Sequence, residues 1–192
     1  VISHSHYDHL GDVPAIVRRT GAIVCGSETT LNVCRYFDIH EARLLAFESH
    51  VPMNLGPFTV TPVPSLHKQP TRGGSYQKVP EHIGAHGDYL EGGTWALSIR
   101  FGDRTVFNLG SANCIEREIE GIECDYLLVA IAGRRPEFIP TVLSHIQAEH
   151  IVPTHWDLFQ QNPVEDPGEK YNTAEFTDEV HGVKPDQKVK VM

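Results

Sequence analysis

The segment His4-Ser5-His6-Tyr7-Asp8-His9 puts four metal-ligating side chains into six residues. Imidazole nitrogens and a carboxylate are the donors that a borderline divalent ion such as Zn²⁺ takes. On extended backbone, alternate side chains point the same way, so His4 and His6 are placed to share one ion. Asp8 and His9 follow as the chain turns and supply donors for a second ion nearby. A lone histidine is more often structural than a ligand, but four such groups at this spacing are not explained that way.

The flanking residues set the geometry of this cluster. Val1-Ile2 reads as the end of a buried strand and Leu10 to Thr20 as a helix, so the cluster sits on a strand-to-helix turn. Ala22 to Cys25 is a short apolar strand, and Ser27 is placed to cap a helix running to Tyr36. Arg43 to Phe47 and Phe58 to Val63 read as strands, the second alternating apolar and polar. Thr94 to Phe101 and Arg104 to Leu109 flank Gly102-Asp103 as a hairpin. Asp125 to Ile131 is apolar enough for a strand buried on both faces. Pro136 to Glu149 reads as a helix with Pro near its first turn, leading into a strand that ends at His155. Asn162 to Gly182 is polar and acidic and reads as surface wrapping; Gln187 to Met192 reads as a terminal strand.

The six-residue cluster resembles the HxHxDH signature of the metallo-β-lactamase superfamily and fits it at every position. The likeness extends over nearly the whole chain. It implies an α/β fold, an αββα sandwich, as a single domain spanning residues 1–192. It also implies two further histidine ligands at the ends of later strands, and His67 and His155 stand at those places. The ligand sets it implies are His4, His6 and His67 for one ion, and Asp8, His9 and His155 for the other. The family's Gly-Asp pair after the hairpin, whose Asp bridges the metals, is Gly110-Ser111 here. A hydroxyl is a poor metal ligand, so Ser111 is expected to hydrogen-bond a metal-bound water instead. One subclass of these proteins has Ser at this position and still binds two zinc ions.

The resemblance implies a metal-dependent hydrolase in which a metal-bound hydroxide cleaves an ester, lactone or phosphoester bond in a small substrate. Asp8 would bind metal, orient the nucleophile and pass a proton to the leaving group. The expected cofactor is Zn²⁺, one or two per chain, with Mn²⁺ or Fe as alternatives. Phe58 to His67 and Ala132 to Asp157 look most similar to the branch containing ascorbate-6-phosphate lactonase. The alternatives are a β-lactamase or phosphodiesterase of the same superfamily, or a non-catalytic metal-binding member. Lys-Gln-Pro after His67 departs from the Thr-Pro-Gly stretch usual in β-lactamases.

Composition agrees with a soluble enzyme. The 192 residues suit one domain with a real core. A net charge of −9 argues against a nucleic-acid surface, and no apolar run approaches the roughly 20 residues that span a membrane. Cys25, Cys34, Cys114 and Cys124 show no CxxC pairing; they read as buried or free thiols and suit a cytoplasmic location. The expected partner is a small molecule, and a homo-oligomer is compatible. The chain has no initiator Met and begins inside the strand that delivers the motif, so the natural protein is expected to be longer, with N-terminal strands missing here.

Substrate contacts are expected from Lys68 to Gly93, a long glycine-rich loop directly after a ligand. His82 and His86 lie four apart and would share a face if helical. Lys68, Arg72, Arg134 and Arg135 are basic groups near the expected mouth, and Arg134-Arg135 precedes a helix N-terminus where an anion could bind. His40, His50, His145, His150 and His181 read as structural or surface residues.

Overall fold

The computed structural model describes residues 1–69, 72–156 and 172–191. The histidine-rich segment from His4 runs into a one-turn helix, α1 (Tyr7–Leu10), followed by α2 (Val13–Thr20). The expected single helix from Leu10 to Thr20 is therefore two. Pro14 explains the break, because proline has no N–H to donate and its ring clashes with the carbonyl four residues back, so it is tolerated only in a first turn. The strands β1 (Val24–Gly26) and β2 (Leu44–Ala46) pair in parallel around α3 (Glu28–Tyr36). Ser27 caps α3 as expected, its hydroxyl accepting from the Thr30 N–H at 3.2 Å. Leu10, Val17, Val24, Leu31, Val33 and Leu44 close over one another as a small core. Leu10, fully buried there, anchors the end of the histidine-rich segment.

Seven further strands form the main sheet in chain order: β3 (Met53–Asn54), β4 (Phe58–Ser65), β5 (Thr94–Phe101), β6 (Arg104–Asn108), β7 (Ile122–Ala130), β8 (Ile146–Thr154) and β9 (Lys188–Val189). Neighbours from β3 to β6 are antiparallel, and those from β6 to β9 are parallel. β5 is antiparallel to both β4 and β6, so β4, β6, β7 and β8 all point the same way. The loops leaving their C-terminal ends carry His67, Ser111, Gly133 and His155, and these loops gather at one edge of the sheet. The helices α4 (Glu116–Ile119), α5 (Phe138–His145) and α6 (Thr173–Val183) pack Ile119, Phe138, Val142 and Phe176 with Phe107, Leu127 and Ile151 of the sheet. Among the described residues no helix is long and apolar enough to cross a membrane.

Three expectations are corrected here. Val1-Ile2 lies in no strand: Val1 is exposed, and Ile2 makes a single bond from its N–H to the Cys25 carbonyl rather than a ladder. The helix expected to run to Glu149 stops at His145, because from Ile146 the chain alternates inward and outward and pairs with β7, Ile146 against Ile122. The described part of Asn162 to Gly182 is not surface wrapping. Asn172 caps α6 by accepting from the Ala174 and Glu175 N–H groups, and Phe176 and Val180, one turn apart, are fully buried. Burying two such side chains contributes roughly 1.5–3 kcal/mol each. Residues 162–171 lie outside the described residues, as does Met192 of the expected terminal strand.

Candidate metal centre

The segment Ser3 to Ser5 is held by backbone bonds on both sides. The Ser3 carbonyl accepts from the Trp95 N–H at 2.9 Å, and the Ser5 N–H donates to the Glu91 carbonyl at 2.8 Å. The Ser5 hydroxyl is tied to Thr30 Oγ1 at 2.8 Å in the interior. His4 is thereby fixed at 2% exposure, at the centre of a histidine cluster. Its ring lies 4.9 Å from His6, 4.7 Å from His67 and 3.9 Å from His9 between centroids.

Two sets of donor atoms lie within 4.8 Å of one another: His4, His6 and His67, and His4, Asp8 and His9. His4 is common to both. His155 joins through Asp8, its Nε2 lying 3.4 Å from Asp8 Oδ2, while His9 Nε2 lies 3.6 Å from the same oxygen. His155 has a left-handed backbone with φ 54°, uncommon for a residue with a side chain, and this turns the chain out of β8.

Hydrogen bonds fix ring tautomers. His67 Nδ1 lies 2.7 Å from the Lys68 carbonyl. A carbonyl only accepts, so Nδ1 carries the proton and Nε2 keeps its lone pair. His6 Nε2 lies 3.2 Å from the Arg72 carbonyl, which leaves Nδ1 as the donor atom of that ring. Burial first, then the neighbouring His9, His67 and His6, pushes His4 down to about 2, against the opposing pull of Asp8. Burial also lowers His9 and His67. Burial raises the Asp8 carboxyl, but the hydrogen bond from His155 and the nearby His9 and His4 outweigh it and hold it below the usual range. Lowered His4, His9 and His67 beside an ionised Asp8 are the protonation states that a divalent cation requires, so the donor set fits a metal.

A cavity of about 370 Å³ opens beside the cluster, lined by His4, Asp8, His67, Lys68, Ser111 and His155, among others. Ser111 is buried, and its oxygen accepts from the Lys68 N–H at 3.2 Å. This bond uses one lone pair of the hydroxyl and leaves its O–H to donate elsewhere. Asn113 assists from the same loop, its Nδ2 donating to the His67 carbonyl at 3.2 Å.

The other expected substrate residues are dispersed. Among them only Lys68 lines the cavity. At the anion site expected at Arg134-Arg135, both guanidinium groups have carboxylate neighbours. Arg134 binds Glu179 at 2.9 Å and the Ile131 carbonyl, and Arg135 pairs with Glu137 at 3.2 Å. His86 stacks on Tyr7 with ring centroids 3.7 Å apart, and His82 packs against Gly84; no helix sets them on one face. The Arg72 guanidinium lies over Gly87. His50 and His145 pair with Glu118 and Glu116, and Cys114 is a buried thiol that its surroundings push up to about 11. Sequence reasoning missed Ser3, Asn113 and Gly133; the only signal was their adjacency to ligands or to ligand-bearing loops.

Residues 1–162 match the family described as Beta-lactamase superfamily domain. A UPF0173 metal-dependent hydrolase of Carboxydothermus hydrogenoformans is 27% identical over 168 residues, covering 83% of this chain. The chain spans 66% of that relative's length, just under two thirds. A metallo hydrolase of the archaeon Ignicoccus hospitalis superposes with a TM-score of 0.61 at 20% identity, covering all of this chain and 74% of that one. Zn²⁺-bound PqqB from Methylobacterium extorquens gives 0.56 at 15% identity, covering 99% and 69%. These superpositions show a shared fold. The family match takes in every residue from His4 to His155, and the chain belongs to the beta-lactamase superfamily.

Proposed function

We propose that the protein is a metal-dependent hydrolase that cleaves an ester, lactone or phosphoester bond in a small molecule. The observation that carries this reading is the convergence of His4, His6 and His67 beside an open cavity, with Asp8 next to them. His4, His6 and His67 would hold one ion; Asp8 and His9, with His155 on the Asp8 carboxylate, would hold a second. Zinc suits these donors best, with manganese or iron as alternatives. When bound, the metal supplies a Lewis acid and lowers the pKa of a water from 15.7 towards about 7.

The chain's own residues do the rest. Asp8 Oδ2, kept ionised by His155, orients the attacking water and then moves its proton to the leaving group. Ser111 and Asn113 hold the His67 loop so that its imidazole stays aimed. The narrower likeness to the ascorbate-6-phosphate lactonase branch rests on the sequence of residues 58–67 and 132–157. A cytoplasmic location is proposed from cysteines that form no disulfide.

Metal analysis of freshly purified protein, paired with ester turnover, tests this reading. Roughly one to two ions per chain are expected. His4→Ala and Asp8→Ala should each lower turnover about 100-fold or more. Turnover that survives both metal removal and these substitutions would overturn the reading, and rapid nitrocefin hydrolysis would redirect it to a β-lactamase.

A further inference from the structure

Lys68 is held at three points. Its N–H donates to Ser111 Oγ at 3.2 Å, and its carbonyl accepts from His67 Nδ1 at 2.7 Å. Its side chain lies across Gly133, a glycine with φ 71° where a Cβ would stand 2.6 Å from the ammonium nitrogen and 3.0 Å from Cδ. Any other residue at 133 would need a strained left-handed backbone and would expel the lysine from this groove. A lysine on a solvated loop is ordinarily mobile; here the side chain lies along Gly133, which narrows the positions it can take.

The electrostatic setting is equally specific. Lys68 and Asp8 both line the cavity that opens on the histidine cluster. Arg134 and Arg135 are occupied by Glu179 and Glu137. Lys68 makes no such pair: among the described residues, no carboxylate lies within 4.0 Å of its ammonium. A cation that is in no ion pair among the described residues, and that faces the cavity beside the histidines, is placed to receive an anion.

We infer that Lys68, seated on Gly133, is the specificity-determining residue that selects substrates carrying a carboxylate or phosphate group beside the scissile bond. The inference rests on the hydrolase reading for its substrate but not for its anion. Lys68 binds the anionic group while the reacting bond lies towards the histidines, and the covalent link from Lys68 to His67 fixes the spacing between the two.

The test uses the metal-loaded chain with two esters sharing a leaving group: 4-nitrophenyl acetate, which is neutral, and the mono-4-nitrophenyl ester of succinic acid, which carries a carboxylate. Inorganic phosphate binding is measured in parallel by calorimetry. The wild type should prefer the anionic ester. Lys68→Met should raise KM for it and lower the anionic-to-neutral preference about tenfold, and should weaken phosphate binding by a similar factor. Lys68→Arg should retain the preference. Gly133→Ala should move the preference in the same direction as Lys68→Met, with thermal melting as a check on folding.

An anionic-to-neutral ratio unmoved by Lys68→Met, with phosphate binding also unmoved, overturns the inference and leaves metal-dependent hydrolysis standing. If neither ester is turned over while phosphate still binds in a Lys68-dependent way, the hydrolase reading fails and the anion subsite stands.

Discussion

The Ser3 hydroxyl lies 3.3 Å from His4 Nδ1, in the interior of the protein. The same oxygen is 3.5 Å from His9 Nδ1, so one hydroxyl touches a ring shared by both donor sets and a ring from the second. A hydroxyl oxygen can accept from both N–H groups, which leaves both Nε2 atoms as lone-pair donors facing the cluster.

Ser3→Ala should therefore weaken metal binding about tenfold or more, the usual effect of losing a group that orients ligands. Ser3→Thr should restore most of it. Competition with a chelator measures the affinities, and equal affinity in Ser3→Ala and wild type would refute the role.

His4 makes the metal-free fold acid-sensitive. Its folded-state pKa is depressed to about 2 from an ordinary 6.5, so the unfolded chain binds the proton more readily. That stability is fully present above pH 6.5 and is lost progressively as pH falls. From pH 7 to pH 5 the loss is about 2 kcal/mol from His4 alone. Melting curves of chelator-treated protein should drop over this interval; a flat Tm would contradict the assignment.

Gly110 precedes Ser111 with φ 76°, and a Cβ there would stand 2.3 Å from the Trp95 carbonyl oxygen. Gly110→Ala should destabilise the protein by about 2 kcal/mol or more, through both the left-handed backbone and the collision. Denaturant unfolding measures this, and a change below about 0.5 kcal/mol would show that the loop relaxes freely.

Phe176 is fully buried on α6 within the main core. Phe176→Ala should cost about 3–5 kcal/mol. A surface wrap would lose almost nothing, so the same unfolding measurement separates the two descriptions of this segment.

Much of the fold was legible because the signals were local. The hairpin at Gly102-Asp103 is bracketed by two alternating runs, and Ser27 has the chemistry of a cap. The errors came where tertiary packing decided. Ile146 to His150 suits a helix or a strand, and pairing with β7 chose the strand. Phe176 and Val180 sit in a polar, acidic stretch whose periodicity is carried by two residues alone.

Within the site, His4, His6 and His67 come together as the resemblance implied, whereas the second group of donor atoms joins His4, not His155, to Asp8 and His9. The contacts of Ser111 and Arg134 were illegible, because their partners Lys68 and Glu179 lie 43 and 45 residues away in the chain.

His4 has a thermodynamic consequence for the pair of donor sets. A single imidazole lone pair cannot serve two cations, so occupancy of the two sets is linked. In the two-ion reading proposed above, a first ion on His4, His6 and His67 would leave a second to Asp8 and His9, with His155 at the Asp8 carboxylate. Equilibrium titration should accordingly show a weak second step, because filling the first set withdraws His4 from the second.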